Sequence, residues 1–293
     1  MLRSSAWLTA AISAALVSFT LPAAAARHHG TAHIPGYIRS AVASSARPQA
    51  DRKRDAERKP EQVLAFSGIK PGDTVAELIP AAGYYTRLIS KVVGSSGHDY
   101  MLVPGPPPSA AHNGHMAMHG SMAAHGGSMA AHGGHMAMHG HMSHRPNMME
   151  EAHALASDPQ YPNLSVESLK MAGGFGLPHQ VDMFWTTLNY HDLHNIPGAN
   201  MAAFNKEVYD ALKPGGIYFV VDHAAAAGAG TSETRTLHRI DPAAAKREIE
   251  AAGFKFVGSS NLLRNPHDPH TKIIFDPSIR GHTDRFIFKF RKP

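Results

Sequence analysis

Short apolar runs alternate with amphipathic stretches along most of the chain, and each kind of run predicts one kind of element. Buried strands are predicted at 74–80, 98–103, 181–188, 217–221, 254–257 and 285–290, and helices at 84–93, 201–212 and 242–252. Strands that alternate with helices of about 10–15 residues are typical of βαβ units. The pattern therefore predicts an α/β fold built on a largely parallel sheet.

The N-terminal segment has the pattern of an export signal. A basic start precedes a 16-residue apolar run, Ala6 to Leu21, and four alanines that suit a signal peptidase, Ala23 to Ala26. A membrane-spanning helix needs about 20 residues, so the run is short for an anchor. We expect a signal peptide at 1–26, with an uncleaved anchor as the alternative. The mature protein would then be exported, periplasmic or secreted, with no stable membrane insertion. Residues 27–50 are interpreted as a flexible lead-in.

The composition changes abruptly at about 104–149. Histidine, methionine, glycine and alanine dominate there, and the heptapeptide at 121–127 recurs at 128–134. The glycines and the lack of bulky apolar residues predict a disordered, low-complexity insertion. We therefore expect one domain at 51–293 that this His/Met-rich insertion interrupts.

Composition and charge narrow the possible functions. The 293 residues include no cysteine, which excludes disulfides, thiolate catalysis and cysteine-ligated metal centres. A net charge of +5 without a clustered basic patch does not indicate nucleic-acid binding. Neither a phosphate-binding loop nor a nucleophile-elbow motif is present in the sequence. A small-molecule substrate is the expected partner, and the oligomeric state stays open.

Polar residues follow three of the predicted strands. In a doubly wound sheet, ligands bind beyond the carboxyl ends of the strands. Glu77 and the small-residue turn 78–83 end the first strand, and the two later strands are followed by Asn189, Tyr190, His191, Asp192, Asp222 and His223. We expect these side chains to line one cleft, where His191 or His223 is suited to proton transfer. The alternative is that these residues only cap secondary-structure elements and form hydrogen bonds, without a catalytic role.

Several motifs and their order resemble a class I S-adenosylmethionine-dependent methyltransferase, in particular a group of predicted exported bacterial methyltransferases. The stretches that carry the resemblance are VAELIPAAGYYT, LNYHDLH, ALKPGG, VVDHAAAAGAG, TLHRID and the tail from LLRNPHDPH to FIFKFRKP. The resemblance implies a Rossmann-like seven-stranded sheet with helices on both faces. It also implies methyl transfer from S-adenosylmethionine to a small molecule.

The resemblance implies roles for particular residues. The cofactor would contact Glu77, Leu78, Ile79, Pro80, Ala81, Gly83 and Asn189, and the candidate catalytic residues are Tyr190, His191, Asp192 and His223. Two positions depart from the family pattern. Glycine is usual where this chain has Pro80 and Ala81, and an acid usually ends the second strand where this chain has Val103-Pro104-Gly105.

Metal binding is a hypothesis of a different class. Imidazole and thioether ligands together suit copper, and a histidine at the third position of a mature chain suits square-planar Cu(II) or Ni(II). The candidate ligands are His28, His29, His115, His119, His125, His132, His135, His139, Met116, Met122, Met129 and Met136. The alternatives to a methyltransferase are therefore an exported copper- or nickel-binding protein on an inactive methyltransferase scaffold, and a small-molecule binding protein without chemistry.

Overall fold

The computed structural model describes residues 33–105, 147–169 and 174–293, which contain a seven-stranded sheet. The strands are β1 (Thr74–Leu78), β2 (His98–Pro104), β3 (Leu164–Leu169), β4 (Val181–Thr187), β5 (Leu212–His223), β6 (Lys255–Ser260) and β7 (Arg285–Arg291). Their order across the sheet is β3-β2-β1-β4-β5-β7-β6. β7 is antiparallel to both neighbours and the other pairs are parallel, so the carboxyl ends of β1 to β5 share one edge.

Helices cover both faces of this sheet. They are α1 (Gly36–Val42), α2 (Gln49–Arg52), α3 (Asp55–Arg58), α4 (Pro60–Ser67), α5 (Tyr84–Val93), α6 (Met148–Ala156), α7 (Tyr190–Leu193), α8 (Met201–Ala211) and α9 (Pro242–Ala251). α7, α8 and α9 bury apolar side chains on one face, and α1, α4, α5 and α6 do so on the other. The Rossmann-like seven-stranded α/β fold expected from the sequence is confirmed.

The predicted elements differ from the structure mainly at the sheet edge and around β5. β3 has no continuous apolar run, because three of its six residues are Ser165, Glu167 and Ser168, and it was therefore not predicted. β5 begins at Leu212 rather than residue 217. Residues 213–216 still turn, since the pairing with β4 moves from Val181–Leu212 to Met183–Ile217.

The expectation of a flexible lead-in at 27–50 is wrong from residue 33 onward. α1 buries Ile38 and Ala41 in the cluster that α4 and α5 form on the sheet. The Arg47 side chain is buried, and its Nη2 lies 2.6 Å from Oδ1 of Asp55. A seven-residue helix is too short to show in a periodicity, and its stability comes from tertiary packing.

Several sequence predictions lie outside the described residues. These are the signal peptide at 1–26, residues 106–146 of the insertion expected at about 104–149, and every histidine and methionine proposed as a copper or nickel ligand. The ends expected for the insertion are wrong, because Pro104 belongs to β2 and Met148 begins α6. In the part of the chain that the structure describes, no helix has both the length and the apolar character to cross a membrane.

Candidate active site

The turn between β1 and α5 has the backbone conformation of a glycine-rich loop without its usual glycines. Ile79, Ala81 and Gly83 have φ angles of 48°, 51° and 74°, all in the left-handed region. A β-branched residue such as isoleucine rarely adopts this conformation. The sequence predicts Pro80 and Ala81 as the positions where glycine is usual. The structure corrects this, because the non-glycine residues of the turn with a left-handed backbone are Ile79 and Ala81.

Two neighbours hold this turn in place. Nδ2 of Asn189, which follows β4, donates to the carbonyl oxygens of Leu78 at 2.7 Å and Ile79 at 3.2 Å. On the other side α6 packs so closely that a Cβ on Gly83 would lie 2.6 Å from Cδ2 of Leu155. The strained turn is thus held by contacts from both sides, as strained backbone at functional sites usually is.

A cavity of about 400 Å³ lies against the turn. Residues 80–83 form one wall, and Arg87, Met101 and α6 form the rest. The carboxylates that line it are Glu151 of α6 and Asp158. β2 itself ends in Val103 and Pro104, so no acidic residue stands at the end of this strand, as the sequence indicated.

Beneath the turn, two carboxyl groups are buried on the same face of the sheet. Glu77 is 3 % exposed and accepts a hydrogen bond of 2.5 Å from Oγ1 of Thr86. Burial raises the pKa of Glu77 to about 7. Asp99 pairs with Val75 across the strands and is fully buried, and neither of its carboxylate oxygens has a hydrogen-bond partner among the described residues. Burial, and then the Glu77 carboxylate, raise the pKa of Asp99 well above its usual value.

A second group of side chains surrounds the carboxylate of Asp222, at the end of β5. The backbone N–H of His191 donates to its Oδ2 at 2.7 Å, and Nδ1 of the same residue lies 2.8 Å from Oδ1. The N–H of His223 also donates to Oδ1, at 2.7 Å. His191 is therefore held at both its backbone and its ring by one buried acid.

His238 joins His191 and His223 in a compact cluster. The ring centroid of His191 lies 5.9 Å from that of His223 and 5.5 Å from that of His238. Oδ1 of Asp192 lies 3.2 Å from Nε2 of His191 and 3.1 Å from Nδ1 of His238. His238 has a φ of 55°, in the left-handed region that Ile79, Ala81 and Leu188 also adopt.

The histidines differ in their electrostatic surroundings. Burial disfavours the charged form of His191, but the Asp222 and Asp192 carboxylates outweigh it and raise the pKa of His191 to about 10. Burial, together with the positive charges of His191 and Arg285, lowers the pKa of His223 well below its usual value. Two neighbouring imidazoles with pKa values moved in opposite directions are typical of acid–base sites.

Arginines complete the cleft, which has a volume of about 250 Å³. Arg54, Arg58, Arg280 and Arg285 line it, against the carboxylates of Glu57 and Asp192. The guanidinium of Arg58 lies 4.5 Å from the Tyr84 ring centroid, and Nη2 of Arg285 donates to the Glu57 carbonyl at 2.8 Å. Neither forms an ion pair with a described carboxylate, and burial lowers the pKa of both.

The predicted site residues are only partly brought together. His191, Asp192 and His223 line the cleft, and Asn189 and Glu77 lie at the neighbouring turn. Tyr190 does not reach the cleft: its ring lies in the apolar core and its hydroxyl donates to Glu248 at 2.9 Å. Successive residues of a helix project about 100° apart, so the first residue of α7 turns inward while His191 faces Asp222. Leu78 is also buried in that core.

Sequence reasoning missed the arginines and His238. Arg54 and Arg58 belong to the segment that wraps the sheet before β1, and Arg285 begins β7. Nothing in their local pattern points to the cleft, because they meet only through the fold. A signal existed for His238, since it lies in the motif TLHRID next to the helix cap Asp241.

Two solved structures share this fold over most of their length. A SAM-dependent methyltransferase from Aquifex aeolicus is 17 % identical, with a TM-score of 0.52, and the match covers 84 % of this chain and 99 % of that one. A chain of the complex that contains the Haloferax volcanii Trm112 methyltransferase activator is 14 % identical, with a TM-score of 0.50, and the match covers 88 % and 98 %. No protein-family model matches the chain, and a search of the curated proteins finds no relative. The structural likeness identifies the class I methyltransferase fold.

The buried pair of acids predicts a pH-dependent stability. The raised pKa values mean that the folded state holds protons that the unfolded state has lost, so stability falls as the pH rises from about 4.5 through 7. For Glu77 alone this amounts to about 3 kcal/mol. At pH 4.5, Asp99→Asn should have the same free energy of unfolding in urea as the wild type. At pH 8 its free energy of unfolding should be higher by on the order of 1–3 kcal/mol, because the substitution removes the buried carboxyl group. Asp210→Asn, an exposed carboxyl on α8, is the control. Equal differences at both pH values would contradict the assignment.

The strained turn predicts opposite effects of glycine at two adjacent alanines. Ala81 and Ala82 are both exposed, but only Ala81 has a positive φ. Ala81→Gly relieves about 1–2 kcal/mol of strain and should stabilise the protein by about 0.5–1 kcal/mol after the added freedom of the unfolded chain is counted. Ala82→Gly relieves no strain and only increases the conformational freedom of the unfolded chain. It should therefore destabilise the protein by about 0.4–1 kcal/mol. Urea unfolding measures both, and changes of the same sign would refute the turn geometry.

Proposed function

We propose that this protein transfers a methyl group from S-adenosylmethionine to a small anionic molecule. The observation that carries the proposal is the placement of two sites at one sheet edge. The glycine-like turn with its cavity follows β1, and the histidine–arginine cleft follows β4 and β5. In doubly wound sheets this edge is where ligands bind.

The residues at the turn fit the cofactor in conformation and in space. The left-handed backbone and the small exposed side chains of Ala81 and Ala82 let a ligand approach the main chain. The cavity of about 400 Å³ lies within the range of small-molecule sites. Glu77 and the backbone of residues 78–83 would hold the amino-acid part of the cofactor. Hydroxyl groups of its ribose would find carboxylates on Glu151 and Asp158 rather than at the end of β2.

Catalysis in this arrangement rests on positioning. S-adenosylmethionine supplies, when bound, an electrophilic methyl group for an in-line displacement. Asn189 bonds to the turn and immediately precedes the helix that carries His191, so the two binding regions are fixed relative to one another. Holding the acceptor atom in line contributes most of the acceleration in such a step. Where the acceptor must lose a proton, His223 is the residue suited to take it, because its imidazole is neutral whereas the raised pKa of His191, about 10, keeps that ring protonated.

The cleft favours an acceptor with a carboxylate or phosphate group. Four arginines line it against two carboxylates, and neither Arg58 nor Arg285 forms an ion pair with a described carboxylate. A half-buried guanidinium without a counter-charge is costly, and an anion compensates it. Export of the chain and copper or nickel binding by its His/Met-rich segment stay predictions of the sequence.

Calorimetry with S-adenosylhomocysteine tests the cofactor site. At pH 8, above the pKa of about 7 that burial gives Glu77, the wild-type chain should bind it. Glu77→Gln should then bind ten- to a hundredfold more weakly, because a charge-assisted hydrogen bond is lost. Asp210→Asn replaces an exposed carboxylate far along α8 and should bind like the wild type. Absence of binding to the wild type at millimolar ligand would overturn the proposed function.

Inorganic phosphate serves as a probe of the anionic acceptor. Phosphate should raise the melting temperature of the wild type, and Arg58→Gln should weaken this phosphate binding by about tenfold or more. Arg52→Gln changes an exposed arginine of the same segment that does not line the cleft. Phosphate should stabilise this control as it does the wild type. Equal stabilisation of all three proteins would show that the cleft does not select anions.

A further inference from the structure

Three potential ligand atoms at the cleft lie at the spacing of a metal site. They are Nε2 of His191, a carboxylate oxygen of Asp192 and Nδ1 of His238, and all lie within 4.8 Å of one another. Oδ1 of Asp192 is 3.2 Å from the first nitrogen and 3.1 Å from the second. Ligands bound tetrahedrally about 2.0–2.1 Å from Zn²⁺ lie about 3.4 Å apart, so small side-chain rotations suffice.

The ring of His191 is oriented as metal-binding histidines are. Its Nδ1 faces Oδ1 of Asp222 at 2.8 Å, and that carboxylate also accepts two backbone N–H bonds, so Nδ1 carries the hydrogen. When a metal ion displaces the other ring proton, the lone pair that binds it is on Nε2. That atom is buried and has no hydrogen-bond partner among the described residues, although Asp192 is close. A histidine whose other nitrogen donates to a carboxylate is the usual arrangement at metal centres.

We infer that His191, Asp192 and His238 bind a divalent transition-metal ion, with Asp222 positioning His191. Two imidazoles and one carboxylate suit Zn²⁺ or Fe²⁺, and three protein ligands leave coordination positions open. These positions face the cavity, because the same three side chains line it. The site is distinct from the copper and nickel ligands predicted from the His/Met-rich segment.

The charges of the cleft are compatible with a dication. The carboxylates of Asp192 and Asp222 together balance its two positive charges, and both lie within 3.2 Å of a nitrogen of His191. An anionic ligand bound in the cleft would lie against the surrounding arginines as well as the metal ion. It would contact both the ion and the guanidinium of Arg58 or Arg285, because the metal ligands and both arginines line the cleft. The alternative is a hydrogen-bonded histidine–aspartate network that takes no metal.

Zn²⁺ titration of the full chain tests the site against that network. The nine histidines from His112 to His144 will also take up metal, so the measurement compares variants of the whole protein. Asp192→Asn and His238→Gln change partly exposed side chains and should leave the fold intact. His267→Gln, an exposed histidine outside the cleft, is the matched control. Competition with a chromophoric chelator counts bound Zn²⁺, and thermal unfolding reports metal bound to the folded domain.

We expect both cleft variants to bind one Zn²⁺ fewer than the wild type and to lose the rise in melting temperature that Zn²⁺ causes. The control should keep both. Ligand substitutions of this kind weaken the site by at least the 10–100-fold typical of the residues that orient ligands. If all four proteins bind the same number of ions and show the same thermal shift, the cluster is a hydrogen-bonded network and the inference is wrong.

Discussion

The buried carboxylate of Asp222 is the contact on which the geometry of the cleft depends. It accepts hydrogen bonds from the backbone of His191, the ring of His191 and the backbone of His223, all between 2.7 and 2.8 Å. Each bond to an ionised group contributes about 1.5–3 kcal/mol. Together they fix the start of α7 to the end of β5. Because Nδ1 of His191 is held by this acid, the ring is oriented with Nε2 towards Asp192.

The loop that carries these residues also connects the cleft to the turn after β1. Leu188 adopts a φ of 60° as β4 ends, and its N–H donates to Val221 on β5. Asn189 then bonds to the carbonyls of Leu78 and Ile79. The residue that contacts the turn, Asn189, lies two positions before His191. One short stretch of chain, residues 189–191, thus contacts both the turn after β1 and the acid beneath the cleft.

Local patterns predicted the elements whose apolar residues are continuous, and the topology followed from their alternation. The same reasoning placed His191, His223 and Asp222 at one edge, because parallel strands end together. It could not orient Tyr190, since the rotation of a four-residue helix is set by packing. It could not find Arg58 or Arg285 either, which are distant in the chain and meet only through the fold. The short helix α1 and the polar strand β3 likewise form through tertiary packing and strand pairing, which a local sequence pattern does not show.

The cleft is closed by segments from opposite parts of the chain. Nη2 of Arg285 bonds to the carbonyl of Glu57, 228 positions earlier, and Nζ of Lys59 bonds to that of Leu262, 203 positions later. During synthesis Arg54 and Arg58 leave the ribosome long before β7 exists. A growing chain therefore has an incomplete cleft until its last strand is made, and the arginines stay solvated until then. Contacts of such long range also favour slow folding, because distant segments of the chain must meet before these contacts form.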